Sequence, residues 1–435
     1  MKIILDKLKT TVKTHLQRLF ISLQLYGENG LANHAAACAY GFLLSMAPML
    51  FLLAFFIFIV FKPSPAAITA FIGNIPFLGS IFDEQWLSSD YFSFVAPGIS
   101  GIISILSIMW AGRILAGSMQ RALVIIFPAD KKRNPVNGTL VTFAIEVSVI
   151  VFVLAAIISS RTALTFYRFL DFSPKTSLLQ FVTSYTGGRL SYIILLGLGV
   201  FLAYLFVPVK SPRKFSAFQG ALLCIFSYFC TVMALGIIMN YAKFSLLYGT
   251  LGNMIILLIN VYFFFTFFFL GAQFAYVIDS FDALLFSKLW QNKNRNLLNR
   301  FFYPAGGNLD KYLRHFKKND IVIAQGDASN GIFYLLEGRV EVLLGTAQPE
   351  DGIAGISAGV LEAGSFFGEM GYLLSEERTA TIRAKTDISV FELPISLFDD
   401  ILKCDNSIDR VLIEEISRRL KDRNEQIVNL SRSDN

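Results

Sequence analysis

Six stretches of this chain are each long and apolar enough to cross a lipid bilayer: about residues 35–61, 94–117, 136–160, 189–209, 217–241 and 251–278. A crossing takes roughly 20 apolar residues for a hydrocarbon core about 30 Å thick. The expected fold of this half is therefore an all-α polytopic membrane bundle of six transmembrane helices. The first stretch, AAACAYGFLLSMAPMLFLLAFFIFIVF, has length to spare for tilt or a kink at Pro48. AITAFIGNIPFLGSIF (67–82) is interrupted by Gly73, Pro76 and Gly79, and reads as an interfacial or re-entrant piece rather than a seventh crossing.

Basic residues set the orientation, because loops rich in Lys and Arg stay cytoplasmic. The N-terminal segment carries Lys2, Lys7, Lys9, Lys13 and Arg18. The loop after the second stretch has Arg121, Lys131, Lys132 and Arg133; the next loop on that side has Lys210, Arg213 and Lys214. The opposite side has Lys62 against Asp83, Glu84 and Asp90, and only Lys243 in the fifth loop. Both termini are therefore expected on the cytoplasmic side. The loop 161–189, with Arg161, Arg168, Lys175 and Arg189, runs against this pattern. The N-terminus lacks a compact apolar core with a small-residue cleavage site, so no removed signal peptide is expected.

Charge divides the chain. Hydrophobic residues make up 54% and charged residues 16%, against about 25% charged in soluble domains. Residues 1–300 carry a net charge of +13 and residues 301–435 a net of −7. Two physically different domains follow. Cys38, Cys224, Cys230 and Cys404 show no disulfide or metal spacing. With three His and no His/Cys/Asp cluster, neither a metal nor a catalytic constellation is indicated, and the chain is read as not an enzyme.

Within the apolar stretches, Glu146 lies ten residues into the third, about 15 Å deep. A carboxylate there needs a partner, a cavity or a proton. Arg113 is the candidate partner, and the pair is a candidate intramembrane functional site. Asn253, Asn260, Gln273 and Gln219 are read as interhelical hydrogen-bonding groups.

Three segments carry a family resemblance. HAAACAYGFLLSMAPMLFLL (34–53), IMWAGRILAGSMQRALVIIF (108–127) and the pair of stretches over 218–279, with Tyr248-Gly249, Leu251-Gly252 and Gly271-Ala272, resemble the YihY/BrkB membrane proteins. The resemblance covers about residues 30–285. It implies an integral inner-membrane protein linked to envelope function or virulence. The ribonuclease label once given to that family finds no acid/base or metal set here.

The tail reads differently. QNKNRNLLNR (291–300) is a basic connector suited to an anionic membrane surface. IVIAQGD (321–327), IFYLLEG (332–338), RVEVLLG (339–345), GVLEAG (359–364), TATIRAK (379–385) and ISVFELP (388–394) are short β-rich runs divided by turn pairs. SLFDDILKC and residues 405–430, with Leu412, Ile416, Leu420, Ile427 and Leu430 in one stripe, are helical. The expectation is a cytoplasmic β-roll with flanking helices. The stripe either closes over the site or meets a second subunit, which makes a homodimer the expected assembly. The domain limits follow: 1–30 a basic amphipathic N-terminus, 31–286 the membrane domain, 287–310 a linker, 311–435 the roll and its C-terminal helix.

FFGEMGYLLSEERTATIRA (366–384) carries the chemistry. If GEMGYLL forms a short helix, its first N–H groups point outward, where an anion can accept from them. Arg378 returns beside it and can fork onto phosphate oxygens. Glu369 would repel a phosphate, but suits a ribose hydroxyl next to one. The whole tail is similar to the cyclic nucleotide-binding domain of catabolite activators, cyclic nucleotide-dependent kinases and gated channels, whose phosphate-binding cassette matches Phe367-Gly368-Glu369-Met370-Gly371-Tyr372-Leu373-Leu374 and Arg378-Thr379-Ala380-Thr381. The resemblance implies Glu369 on the ribose, Arg378 on the cyclic phosphate, and Gly368–Gly371 N–H groups with Thr379 and the adjoining Ala380 completing the cradle. Glu377 stands where many members have Pro, and would compete for the guanidinium.

The function these readings imply is a transporter, flippase-like or envelope-related factor regulated by cyclic AMP or cyclic GMP, with lipid and a cyclic mononucleotide as partners. The alternatives are a membrane scaffold whose roll binds nothing, Glu369 and Arg378 pairing with each other, or else a cyclic nucleotide-gated channel or membrane-bound enzyme. The loop 242–250 is too short for a pore helix and filter. No helix-turn-helix follows the roll, so no nucleic acid partner is expected.

Overall fold

The computed structural model describes residues 2–44, 114–129, 138, 141, 185–238, 241–291, 309–344, 356–404, 410, 413–414, 416–418 and 421. It separates into two units, Met1–Asp279 and Ser280–Asn435.

The described part of the first unit is built of helices joined by short turns at 29–30, 127–129 and 207–213. Its helices are α1 (Lys2–Glu28), α2 (Leu31–Leu44), α3 (Ile114–Ile126), α4 (Tyr185–Phe206), α5 (Lys214–Ile238) and α6 (Tyr241–Asp279). Within α5 and α6, Lys214–Leu235 and Ile255–Asp279 are long and apolar enough to cross a membrane; α2, α3 and part of α4 are shorter apolar helices. These overlap five of the six stretches singled out by sequence, α3 sharing only residues 114–117 with the second. The re-entrant piece 67–82, most of the third stretch and most of the basic loop 161–189 lie outside the described residues.

Side-chain size explains how these helices pack. Along α4, Ile194, Leu198, Leu202 and Phe206 recur every fourth residue and are exposed. Along α5, Phe215, Phe218, Leu222, Phe226, Phe229 and Met233 form a second exposed stripe, while Ala217, Ala221 and Cys224 turn inward. On α5, small residues inward and large apolar ones outward is the arrangement expected where lipid replaces water, since close backbone approach then helps hold helices together, and Phe268 and Phe269 of α6 fill the core beside it. The closest approach is Gly220 against Gly271. A Cβ on Gly220 would fall 2.4 Å from the Gly271 carbonyl oxygen, and one on Gly271 would fall 2.5 Å from that of Gly220. Beside it the buried Tyr204 hydroxyl donates to the Phe268 carbonyl at 2.6 Å. At the start of α5, the Asp279 carboxylate accepts from the Arg213 N–H (2.7 Å) and the Ser216 hydroxyl (2.5 Å), fixing the entry of α5 to the end of α6.

Two sequence expectations change here. The segment 242–250, read as a loop, is the first part of α6: Tyr241–Asp279 is one helix of 39 residues, about 58 Å long at 1.5 Å per residue. Among the described residues Asn260, read as an interhelical group, bonds its own helix, its amide donating to Ile256 O one turn back at 2.8 Å. Gln273 does reach another helix, accepting from Asn29 at 3.4 Å.

The second unit opens with α7 (Phe281–Gln291). A 3₁₀ turn, Asp310–Tyr312, leads into the strands β1 (Leu313–Phe316), β2 (Ile321–Ile323), β3 (Gly331–Glu337), β4 (Arg339–Leu344), β5 (Ile356–Glu362) and β6 (Phe366–Phe367). There follow helix α8 (Glu369–Leu373), β7 (Thr381–Ala384), β8 (Ile388–Pro394) and α9 (Ile395–Cys404). The strands make two antiparallel sheets, ordered β1-β8-β3-β6 and β2-β7-β4-β5. Alternation along the strands sends Ile323, Phe333, Leu335, Val340, Phe367, Ile382, Ala384, Ile388 and Val390 into the shared core. Gly338 turns β3 into β4 at φ 92°, where a Cβ would meet Asp387 O at 2.5 Å. The β-roll expected from sequence is present.

The boundary between units falls ahead of the 287–310 linker drawn from composition, because α7 packs on the roll. Phe286 sits edge-on to Tyr334 and Phe391, with centroids 5.7 and 5.8 Å away. Asp282 accepts from Lys311 Nζ at 2.6 Å and from the Tyr312 hydroxyl at 3.1 Å. α7 also packs on α9, whose Leu397, Phe398 and Ile401 are buried. Residues 292–308 lie outside the described set.

Candidate functional site

The site is assembled around the short strand β6. Phe367 pairs with Phe333 of β3, and their rings stack at 5.3 Å and 8°. The chain then turns sharply at Gly368, with φ 77° and ψ 4°. Two constraints demand glycine there: the left-handed backbone, and a would-be Cβ that meets Arg378 Nη1 at 2.7 Å and Ile323 Cδ1 at 3.2 Å. The turn launches α8, in which Glu369 is 3% exposed while Met370 faces outward and Gly371 is buried.

Arg378, 7% exposed, fills the space behind this turn. Nη1 donates to Gly368 O and Nη2 to Gly331 O, both at 2.6 Å. The guanidinium carbon stands 5.9 Å from the centroid of the Phe333 ring, in cation–π range. Burial pulls its pKa below the ordinary guanidinium value, opposed by the nearby charges of Asp327 and Glu369. An Arg stays protonated under such a shift, so the site holds a buried cation between two carboxylates and two carbonyls. The backbone fixes its approach: the Arg378 N–H donates to Asp327 O and the Gly326 N–H to Arg378 O, both at 2.9 Å.

Of the residues singled out by sequence, Phe367, Gly368, Glu369, Gly371 and Arg378 are brought together. Met370 and Thr379 are exposed, and Ala380 is half-buried. Thr381, fully buried, accepts from the Gln325 N–H at 3.1 Å. Glu377 is exposed, and the guanidinium's hydrogen bonds go to main-chain carbonyls instead. Glu146 and Arg113 lie outside the described residues. Sequence reasoning missed Gly331 and Asp327 as partners of Arg378. It also missed the hydrogen bond from the Tyr372 hydroxyl to Asp399, which ties α8 to α9. In the sequence Gly326-Asp327 is a turn pair ending the run IVIAQGD; its place opposite Arg378 is a tertiary fact.

A helical unit with outward apolar stripes, joined to a β-roll with a buried Gly-Glu turn and arginine, defines a membrane protein that carries a nucleotide-sensor fold. The family model "Virulence factor BrkB" matches residues 22–288, and "Cyclic nucleotide-binding domain" matches residues 313–405. The chain belongs to the BrkB family and ends in a cyclic nucleotide-binding domain. The tail is similar to the cAMP-activated global transcriptional regulator Vfr of Pseudomonas aeruginosa, 31% identical over 127 residues, covering 27% of this chain and 58% of the relative. It is also similar to the cAMP-activated regulator CRP of Salmonella typhimurium, 27% identical, covering 28% of this chain and 56% of the relative. The chain thus spans just over half the length of these regulators. Among solved structures, the Thermus thermophilus catabolite activator protein matches at 22% identity and a TM-score of 0.25, over 27% of this chain and 54% of that one.

Proposed function

We propose that this is a six-span inner-membrane protein, both termini cytoplasmic, whose roll binds a cyclic mononucleotide and thereby regulates a transport, flippase-like or envelope function of the bundle. In this reading it is not an enzyme, and it works as a homodimer. The observation that carries the reading is Arg378: a buried cation beside a left-handed glycine turn and a buried carboxylate. Two of its five N–H donors go to carbonyls, which leaves others to fork onto phosphate oxygens. The buried Glu369 carboxyl oxygen accepts from a ribose hydroxyl. The cyclic AMP named for Vfr and CRP is the first ligand to test, and cyclic GMP the second.

A route to the bundle follows from the roll's own contacts. Tyr372 of α8 donates to Asp399 of α9, α9 packs on α7, and α7 begins one residue after α6 ends. Movement of α8 on nucleotide capture would thus bear on the last membrane helix.

One observation favours the competing reading of a scaffold with a non-binding roll. Arg378 already staples Gly368 to Gly331, a structural task in itself. Calorimetric titration of the full chain in detergent separates the two. Each charge-assisted hydrogen bond contributes about 1.5–3 kcal/mol, so Arg378→Ala should weaken cyclic AMP or cyclic GMP binding at least about tenfold. A wild-type chain that binds neither nucleotide establishes the scaffold.

A further inference from the structure

The connection between β2 and β3, residues 324–330, holds a polar group the site has not used. Ser329 Oγ is buried and has no hydrogen-bond partner. On both sides of it the chain is tied to Arg378, through Gly326 and Asp327 before it and Gly331 O after it. The hydroxyl itself abuts the cassette helix. The point where a Cβ on Gly371 would lie is 2.9 Å from Ser329 Oγ, 3.1 Å from Ser329 Cβ and 3.1 Å from Glu376 O. A donor and a carbonyl acceptor therefore border the same small space beside Gly371 without being joined.

The acceptor belongs to the turn that closes α8. Glu376 N–H donates to Gly371 O at 3.0 Å and Leu374 N–H to Met370 O at 2.9 Å, so the Glu376 carbonyl travels with the cassette. The turn is also strained, with Ser375 at φ 55° in the left-handed region, which costs a non-glycine residue on the order of 1–2 kcal/mol. A buried hydroxyl with no partner, beside a strained turn that carries a carbonyl on the same small space, describes a joint with a second, better-bonded position close by.

We propose that Ser329 is a positioning residue of the nucleotide site. When a cyclic nucleotide draws in the 368–371 backbone and Arg378, the 371–376 turn shifts and the Glu376 carbonyl accepts from the Ser329 hydroxyl. The hydrogen bond belongs to the nucleotide-engaged arrangement and favours it over the one described here. This role rests on the nucleotide-binding reading above, and reaches the ligand only through α8.

The test measures nucleotide affinity and thermal stability in the full chain in detergent, for wild type, Ser329→Ala, Ser329→Thr and Arg378→Ala. Ser329→Ala should bind cyclic AMP or cyclic GMP about 2- to 10-fold more weakly, the range of one ordinary hydrogen bond. Its Tm without nucleotide should equal or exceed that of wild type, because a buried unpartnered hydroxyl has been removed. Ser329→Thr, which keeps the hydroxyl, should stay within about twofold of wild-type affinity. Equal affinity for Ser329→Ala and wild type, while Arg378→Ala is weakened, overturns the role of Ser329 and leaves the nucleotide reading standing. A lower Tm without nucleotide in Ser329→Ala overturns it too, by showing a packing role. A wild type that binds neither nucleotide removes the reading beneath it, and the role of Ser329 with it.

Discussion

In the helical unit the large apolar side chains Leu198, Phe206, Phe218 and Phe226 face outward, and Ala217, Gly220 and Ala221 face the neighbouring helix. In the roll the order is reversed, with Phe333, Leu335, Phe366 and Phe367 buried inside two sheets. The same residue types carry opposite instructions because the surroundings differ. Against water, burying apolar area stabilises by roughly 25 cal/mol per Å². Against lipid that gain vanishes, and backbone contact between small residues takes over. Glycine shows the contrast most sharply: at Gly271 it is needed for close approach, at Gly368 for a left-handed turn.

The largest effect should come from the helix crossing. Gly271→Leu would drive a side chain into Gly220 O, the Tyr204 hydroxyl and Cys224. Overpacking of this kind costs about 1–3 kcal/mol and at times more, so the expected outcome is loss of monodisperse protein on size-exclusion in detergent. Gly197→Ala is the control, since its Cβ meets only Ile225 Cγ1 at 3.8 Å. It should be neutral or stabilising by up to about 1 kcal/mol, from helix propensity alone. If both variants behave alike, the crossing is not what holds this unit together.

In the roll the matching experiment is Gly368→Ala. The left-handed conformation costs alanine roughly 1–2 kcal/mol, and the added methyl displaces the guanidinium of Arg378. Nucleotide binding should therefore fall as far as in Arg378→Ala, while the helical unit keeps its detergent behaviour. Binding retained at the wild-type level would mean that Arg378 has another path to the ligand.

What the sequence disclosed follows the same division. Long apolar runs announced the helices, but α6 starts at Tyr241 and takes in the segment 242–250 read as a loop, because Gly249 and Gly252 weaken a helix without ending it. Six β-rich runs were legible. The strands β1 (LRHF) and β6 (two residues) were not, since they are defined by pairing with β8 and β3 rather than by composition. The cassette residues were visible as a motif. The partners of Arg378 were hidden, because two of them are main-chain carbonyls, and a carbonyl has no letter in the sequence.

A smaller effect distinguishes sensing from transmission. Tyr372→Phe removes the hydroxyl that donates to Asp399 and leaves the ring against Phe398. A net hydrogen bond is worth about 1 kcal/mol, so stability should fall by no more than that, and nucleotide affinity should stay within about threefold. The nucleotide-dependent change in lipid scrambling or solute flux, measured in proteoliposomes, should shrink. An unchanged response would place the connection between α8 and the bundle elsewhere than α9 and α7.

The smallest effect concerns a charge the roll uses only for stability. Glu341 of β4 sits opposite Arg383 of β7 in register; it accepts from Arg383 Nη2 at 2.8 Å and from the Ser357 hydroxyl at 2.9 Å. These hydrogen bonds, from Arg383 first and Ser357 second, hold its carboxyl below the usual range. A group with a depressed pKa contributes fully above its unfolded value, about 4.3 for glutamate, and loses that contribution as pH falls through the folded value. Glu341→Gln should therefore lower the Tm slightly near pH 6, and wild type and variant should converge as pH falls through the depressed folded value. A gap that persists in acid would assign the loss to sheet packing instead of charge.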